Sequence, residues 1–302
     1  MMKMEGMTMS LTNKIDFAVV FTVKKANPNG DPLNGNRPRV DYDGYGEVSD
    51  VCLKRKLRNR LQDMGEAIFV QSDDNRKDEY RSLNARFEGN KEIKEEKDKE
   101  KKAKIACKTW YDVRAFGQVF AFKAKDKKGK DSESNEESGE SDSVSIGVRG
   151  PVTIQSAVSV EPVLISSLQI TKSVNLETNN QDPAKRASDT MGMKHRVDYG
   201  VYKAFGSINC QLAEKTGFSD ADADKLLEAL KTLFVNDASA ARPDGSMETV
   251  KVIWWKHNSK IGQYSSARVH RSLKVEAVDN STLPKVTIEP LAGLEPVVFG
   301  EE

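Results

Sequence analysis

The residues best suited to chemistry in this sequence are cations that could neutralise phosphates. The first group lies in a loop and on the helix predicted after it, and comprises Arg37, Arg39, Lys54, Arg55 and Arg58. Each contact between a cation and a phosphate adds a salt-dependent term to nucleic-acid binding. The loop is rich in Asn and Gly, and backbone N–H groups there can approach phosphates closely. A solvated helix face is the competing interpretation, and both stay open.

A second basic group lies in the second half of the chain. It comprises Lys185, Arg186, Lys194, His195 and Arg196, against one acid, Asp189. Met191 and Met193 lie among these cations, where a flexible thioether could wedge beside an unstacked base. Ordinary core packing is the alternative interpretation for the two methionines.

Two further arginines, Arg114 and Arg149, lie beside segments with strand character. Either could bind a phosphate. Either could instead pair with Asp112 inside the protein, and this second interpretation is the stronger one.

Acid–base catalysis has one candidate loop, which contains Asp31, Asp41 and Asp43. Such carboxylates could act as general acids or bases or hold Mg²⁺. Aspartates in such a loop more often form turns, and no histidine is near in sequence to complete a ribonuclease pair. The three histidines and three cysteines lack metal-ligand spacing, so no metal or cofactor is predicted.

Composition limits the class of protein. The chain has 302 residues, of which 37% are apolar and 31% charged, and its net charge is +1. A uniformly basic coat is therefore excluded, whereas a locally basic face is not. No apolar run approaches the ~20 residues that cross a bilayer, so no membrane partner is predicted. Three widely spaced cysteines favour the reducing cytoplasm.

The elements that must position these residues follow from hydrophobic periodicity. Strands are predicted at Ile15–Val23, Trp110–Phe122, Val144–Ile170, Tyr199–Cys210, Val250–Trp255 and Lys285–Ile288. Helices are predicted from Asp50 to Met64, capped by Ser49, and after Ser219. Lys91–Lys104 is expected to be an exposed helical insertion, Lys123–Ser143 a disordered loop, and Thr171–Lys194 two arms around a turn-rich tip. The order predicts an α+β fold with helices on one sheet face and RNA access on the other.

Four segments carry a resemblance to a known family. They are Asn27–Asp31, Ser49–Arg55, Asp112–Gln118 and Met191–Tyr202, with weaker support from Arg149–Pro151. In this order they resemble the backbone subunit of the type I-C CRISPR-associated Cascade complex, a member of the RAMP superfamily.

The resemblance implies a right-hand-like architecture. A single RAMP-type domain would span residues 12–302, with a ferredoxin-like (RNA-recognition-like) palm. Inserted helical fingers would lie within 71–108, a disordered loop at 123–143, and a protruding β-hairpin thumb within 170–196.

The resemblance also implies a non-catalytic RNA-binding role in antiviral defence. Copies of the subunit would stack head-to-tail along a CRISPR guide RNA, kink it at intervals and present its bases to target DNA, together with other Cascade subunits in a prokaryotic cytoplasm. By motif, Lys54 and Arg55 would bind guide phosphates with help from Ser49. Asn27 and Asn29 would line the same groove, and Met191, Lys194 and His195 would lie near the kinked nucleotide.

Two alternatives remain open on the sequence. One is a RAMP endoribonuclease that cuts target RNA with a loop aspartate, Asp31 or Asp41. The other is a generic RNA-recognition protein that acts as a monomer.

Overall fold

The computed structural model of the protein describes residues 10–121, 145–171, 191–278 and 283–300. The strands are β1 (Ile15–Ala26), β2 (Gly30–Asp31), β3 (Arg37–Pro38), β4 (Tyr45–Val48), β5 (Gly117–Ala121), β6 (Ser145–Arg149), β7 (Val152–Ile154), β8 (Ala157–Pro162), β9 (Ile165–Thr171), β10 (Met191–Ile208), β11 (Met247–Lys256), β12 (Leu273–Glu276), β13 (Lys285–Ile288) and β14 (Val297–Gly300). The helices are α1 (Asp50–Asp63), α2 (Leu83–Gly89), α3 (Lys91–Glu95), α4 (Lys99–Thr109), α5 (Tyr111–Phe116), α6 (Cys210–Thr216), α7 (Asp220–Lys231) and α8 (Ser266–Arg271). The predicted loop Lys123–Ser143 and the tip between the arms lie outside the described residues.

One large antiparallel sheet organises the molecule. Its strand order is β14-β11-β1-β10-β8-β4, and β7 and β9 also pair with β10. The central strand β1 pairs with β10 from Ile15↔Ile208 to Ala26↔Val197. The end of β1 therefore lies beside the point where β10 leaves the centre of the sheet to pair with β9.

Two helices cover one face of the sheet, as predicted. Leu53 and Leu57 of α1 and Leu226 of α7 share a buried core with the odd-numbered side chains of β1. The Ser49 hydroxyl accepts a hydrogen bond from the Cys52 N–H and caps α1. Ser219 begins α7 with a complete capping box.

The second sheet face is also covered, so the prediction that it is open to RNA is wrong there. Ala18, Val20 and Trp255 are buried together with residues of α8 and the β12–β13 pair. The physical reason lies in β1 itself, whose successive residues are apolar on both faces. A strand that is apolar on both faces is stable only when both are covered.

The prediction of one continuous strand over Trp110–Phe122 is also wrong. Its first half forms α5, and only its second half is the strand β5. Asp112 explains the difference, because its buried carboxylate accepts hydrogen bonds from the backbone N–H groups of Phe69 (2.7 Å) and Val70 (3.1 Å). Likewise, Cys210 does not end a strand but begins α6, which Asn209 caps.

The helical insertion has a small core of its own. Phe69, Phe87, Trp110 and Phe120 pack together beneath α2–α4. Lys91–Lys104 is helical and largely exposed, as predicted, except that Ile93 is buried within this core. None of the helices in the described ranges is long and apolar enough to cross a membrane.

A buried polar cluster fastens the C-terminal elements to β1. The His257 Nδ1 accepts from the Gln263 N–H (3.0 Å), so its Nε2 carries the proton and donates to Asp16 Oδ2 (2.8 Å). Lys14 Nζ lies 3.1 Å from the same oxygen. His270 stacks on Phe205 and donates from Nε2 to a backbone carbonyl.

We expect acid to loosen this cluster. Burial lowers the pKa of His270 below its ordinary 6.5, despite the nearby charge of Asp16. Burial favours a higher pKa for Asp16, but hydrogen bonds from His257 and Ser266 and the charge of Lys14 outweigh it and hold the value below 3.8. The unfolded chain therefore binds more protons than the folded one, and both contributions are lost as pH falls.

The free energy of unfolding, measured with urea, should accordingly decline as pH falls from above 6.5 through the lowered pKa of His270. A His270→Gln variant should show a shallower decline in this window. The matched control His195→Gln, on the β9–β10 arms, should keep the wild-type slope. An identical slope in wild type and His270→Gln would contradict the assignment.

Candidate nucleic-acid interface

Most of the predicted RNA-binding residues come together at one edge of the sheet, which we call the strand-end surface. It consists of residues 27–49 after β1, the base of the β9–β10 arms at 191–197, and the loop 237–242. The register Ala26↔Val197 brings the first two together. Hydrogen bonds from the Asn27 N–H to the Ala241 carbonyl and from Lys194 Nζ to the Ala240 carbonyl attach the third.

Asn27 and Asn29 shape this surface through internal hydrogen bonds. Asn27 is buried, and its amide donates to the Asn36 carbonyl (2.7 Å), so it lies beneath the surface rather than on a groove wall. The Asn29 side-chain oxygen accepts from both the N–H and the hydroxyl of Ser49 (2.9 Å each). The loop is thereby fixed to the beginning of α1.

The loop arginines are half-buried beside Asn29. The Arg39 N–H donates to the Asn29 carbonyl (3.1 Å), and its guanidinium lies 3.4 Å from Asp31 Oδ1. Arg37 pairs with Asp31 in the short β2–β3 ladder. Both cations are thus held by backbone contacts, and both side chains remain partly exposed.

On α1 the predicted cations are anchored to different degrees. Lys54 forms a partly exposed ion pair with Asp50 (3.0 Å). The Arg55 guanidinium donates to the Val70 carbonyl (2.6 Å), and burial lowers the pKa of this arginine. Arg58 has the most intramolecular contacts of the three, since its Nε binds Asp112 (2.9 Å) and its guanidinium lies over the Phe116 ring. Lys54 and Arg55 are therefore the better phosphate candidates on this helix.

The base of the β9–β10 arms carries the second group. Met191 and Met193 are 69% and 55% exposed, so core packing does not explain them. His195 Nδ1 lies 2.8 Å from the Ser167 hydroxyl, and Arg196 lies 3.9 Å from Asp198. Arg186, predicted with this group, lies outside the described residues.

Arg114 and Arg149, the two less favoured phosphate candidates, lie in different surroundings. Arg114 binds Asp222 (2.8 Å), so the intramolecular interpretation holds for it, although the partner is not Asp112. Arg149 is exposed at the end of β6, which pairs with β5 and not with the large sheet.

A buried ion pair beneath the strand-end surface was not predicted. Lys56 on α1 is 3% exposed, and its ammonium group binds the Asp237 carboxylate and lies over the Phe234 ring. Burial lowers the pKa of Lys56, and Asp237 opposes the shift. Arg242 Nε also contacts Asp237 (3.3 Å). One signal was available, because Lys56 falls beside Leu53 and Leu57 on the apolar stripe of α1.

The loop aspartates act as turn acceptors. Asp31 Oδ1 accepts from the Leu33 N–H (3.2 Å). Asp41 Oδ1 accepts from the N–H groups of Asp43 (3.0 Å) and Tyr45 (2.8 Å). Among the described residues, no three His, Cys, Asp or Glu side chains are grouped as they would be around a metal ion.

Comparison with known proteins gives a consistent result. The family model "CRISPR-associated protein Cas7" matches residues 13–289. A curated protein of the same description from Haloferax volcanii is 29% identical over 222 residues, which cover 72% of this chain and 63% of the relative. This chain therefore spans less than two thirds of that relative's length.

Two solved structures are also similar to the chain. They are described as "CRISPR RNA-guided surveillance complex, pre-nicking" and "CRISPR RNA-guided surveillance complex". Each matches at 15% identity and a TM-score of 0.42 over 80% of this chain, and over 78% and 68% of the solved chains, respectively.

Proposed function

The chain belongs to the Cas7 family of CRISPR-associated proteins, and from this premise we propose that it is a non-catalytic subunit that binds the guide RNA of a surveillance complex. One observation carries the proposal. The strand-end surface gathers cations from two segments far apart in the chain, Arg37 and Arg39 in the loop and Lys194 on β10. A shared anionic ligand explains the convergence of cations from distant parts of a chain better than solvation alone does.

In this proposal the sheet is a ferredoxin-like palm. The strands β11-β1-β10-β8 are neighbours in this order, α1 follows β1, and α7 follows β10. This is the β-α-β-β-α-β arrangement of that fold. The fingers are residues 71–108, the thumb is residues 170–196, and both belong to a single RAMP-type domain spanning 12–302.

The protein contacts the guide RNA through the sugar-phosphate backbone of the guide. Phosphate contacts fix position without reading sequence, which leaves the bases free to pair with target DNA. Met191, His195 and the exposed face of the arms act as the wedge that kinks the guide at each subunit. The complex is of type I-C and acts in the prokaryotic cytoplasm with other Cascade subunits.

Copies of the protein bind one guide in a head-to-tail array. A heterologous contact of this kind generates an open helix, which suits a linear ligand. The test is electron microscopy and light scattering of protein purified without nuclease treatment. Helical particles that contain RNA and dissociate after ribonuclease treatment are expected. A monomer that neither retains nor binds RNA would refute the proposal.

A second experiment addresses the endoribonuclease alternative. Assembled protein is incubated with guide RNA, complementary RNA and Mg²⁺. We expect the complementary strand to stay intact, because Asp31 and Asp41 are engaged by backbone N–H groups in turns. Cleavage that disappears in Asp31→Ala or Asp41→Ala would establish the enzyme instead.

A further inference from the structure

A cavity at the turn between β8 and β9 has no part in the proposed guide site. It is lined by residues 160–164, 198–201 and 277–278, and its volume is about 350 Å³. Cavities that bind ligands have volumes of roughly 300–1,000 Å³, so this one is large enough to hold apolar side chains of a partner. We call the cavity, together with the turn 41–44 beside it, the acidic groove.

The turn 41–44 lies between β3 and β4 and is fixed to the edge of this cavity. The Val163 N–H donates to the Gly44 carbonyl (2.9 Å), and β4 pairs with β8 alongside. Within the turn, the Asp41 carboxylate accepts hydrogen bonds from two backbone N–H groups. Tyr42 is therefore held in a fixed turn next to the cavity, and its side chain is fully exposed.

Other apolar side chains around the groove are also open to solvent. Leu164 and Val278, which both line the cavity, are 71% and 61% exposed. A single exposed apolar residue is ordinary on a protein surface, whereas a group of them around a cavity marks an interaction site. An exposed tyrosine beside such a cavity is typical of the aromatic anchors at protein interfaces.

The charge of the groove is negative. Glu161 and Asp198 line the cavity, and among the described residues no lysine or arginine lines it. The neighbouring segment, residues 40–49, contains three acids and no cation. Asp43 and Glu161 are exposed, and neither forms an ion pair within the described ranges. Their charges are therefore not balanced inside the protein.

A nucleic acid fits this groove poorly. Its phosphates would be repelled by carboxylates that have no cation beside them. The change of sign occurs within the strand-end surface itself, because the cations of its loop end at Arg39 and the acids begin at Asp41. A guide bound at Arg37 and Arg39 would therefore leave the acidic groove free.

A polypeptide segment that carries apolar side chains beside lysines or arginines fits the groove well. Its apolar side chains would fill the cavity and pack against Tyr42, while its cations would pair with Asp43 and Glu161. A whole protein face buries ~800 Å² on each partner, so a cavity of this size fits a short segment better. Amphipathic helices bind apolar grooves in this way.

We propose that the acidic groove binds a basic amphipathic segment of a second protein, different from this chain. A second copy of this chain fits less well, because its own exposed group of methionines and cations at 191–196 is assigned to the guide. This choice between partners rests on the proposed function, whereas the shape and charge of the groove do not depend on it.

The test uses the full chain and a labelled synthetic peptide of about 14 residues, or ~4 helical turns, with leucines on one face and lysines on the other. One control peptide has glutamates in place of the lysines, and another has serines in place of the leucines. Fluorescence anisotropy should show the leucine–lysine peptide binding about tenfold more tightly than either control peptide. Equal binding of the three peptides, or no binding of the first, would overturn the proposal.

Two double variants place the binding on the protein. Tyr42→Ser, Leu164→Ser removes two exposed apolar side chains of the groove and should weaken peptide binding about tenfold. The matched control Val119→Ser, Ile261→Ser removes two exposed apolar side chains elsewhere and should bind like wild type. Thermal melting should show that both variants fold, since all four positions are exposed. Equal losses in the two variants would contradict the assignment to the groove.

The charge is tested by reversing one carboxylate. Glu161→Lys should also weaken binding of the leucine–lysine peptide, and raising the salt concentration should reduce the difference from wild type. The control Glu248→Lys reverses an exposed acid on β11, away from the groove, and should bind like wild type. The same affinity in Glu161→Lys and Glu248→Lys would show that the acids of the groove do not recognise the peptide.

Guide RNA separates this partner from the other occupants. RNA added to the peptide complex should leave the peptide bound, and displacement would show that a nucleic acid occupies the groove. Light scattering with guide RNA should show the same arrays for wild type and for Tyr42→Ser, Leu164→Ser. Loss of arrays in this variant alone would assign the groove to a second copy and refute the proposal. Failure of wild type to bind RNA would instead refute the proposed function, and the peptide comparison on RNA-free protein would still decide whether the groove binds a basic amphipathic segment.

Discussion

The double variant Lys54→Ala, Arg55→Ala is expected to bind guide RNA about 10- to 100-fold more weakly at moderate salt, by a similar factor for every guide sequence. Both residues lie on the first turns of α1, next to the segment that Asn29 fixes. Loss of two phosphate contacts on a single strand should reduce the magnitude of the salt slope by about 1.4. Titration of labelled guide RNA at several salt concentrations measures both quantities.

Two controls separate this effect from general charge and from stability. Arg271→Ala, Lys285→Ala removes the same charge from the C-terminal elements that cover the other sheet face, and should leave guide affinity unchanged. Arg55 also donates to the Val70 carbonyl, so each variant is melted to show that it folds. A folded Lys54 and Arg55 variant with wild-type affinity and slope would show that this helix face is merely solvated.

Local patterns were sufficient to predict the central elements. The apolar alternation of Ile15–Val23 identified β1, and Ser49 and Ser219 identified the beginnings of the two helices that pack on it. These features depend on residues close in sequence, so periodicity and capping chemistry reveal them directly.

Features that depend on distant partners were not predicted. The α5 turn depends on Asp112 accepting from N–H groups more than 40 residues earlier. The cover over the second sheet face depends on residues after position 260. For α5, a tertiary contact overrides the local strand pattern.

The same limit applies to the candidate site. The sequence singled out Lys54, Arg55 and Lys194 by their charge, and the structure places Lys194 in the strand-end surface, where it binds the Ala240 carbonyl. The sequence could not show that Arg58 is held by Asp112, or that Asn27 is buried. Charge is visible in a sequence, whereas the partner that already occupies a charge is not.

The buried pair of Lys56 and Asp237 leads to the largest expected effect on stability. Lys56 is nearly inaccessible, and Asp237 is the acid that balances its charge. Asp237→Ala leaves this cation buried without its carboxylate, and removing one partner of a buried pair costs about 3–5 kcal/mol. Urea unfolding should show a decrease of this size in the free energy of unfolding.

The double variant Lys56→Met, Asp237→Ala tests whether the unbalanced charge of Lys56 causes this loss of stability. Methionine matches the shape of the lysine stem without its charge, so the double variant should recover most of the stability lost in Asp237→Ala. A double variant as unstable as the single one would show that the decrease in the free energy of unfolding comes from loop packing and not from the unpaired charge of Lys56.

The double variant also tests whether the ion pair positions the guide site. Asp237 begins the loop whose carbonyls at Ala240 and Ala241 hold Lys194 and the end of β1. If the ion pair sets the conformation of this loop, the double variant should be stable and still bind guide RNA more weakly than wild type. Stability restored together with full guide affinity would mean that the loop keeps its conformation without the pair, because backbone hydrogen bonds alone would then suffice to hold Lys194 in place.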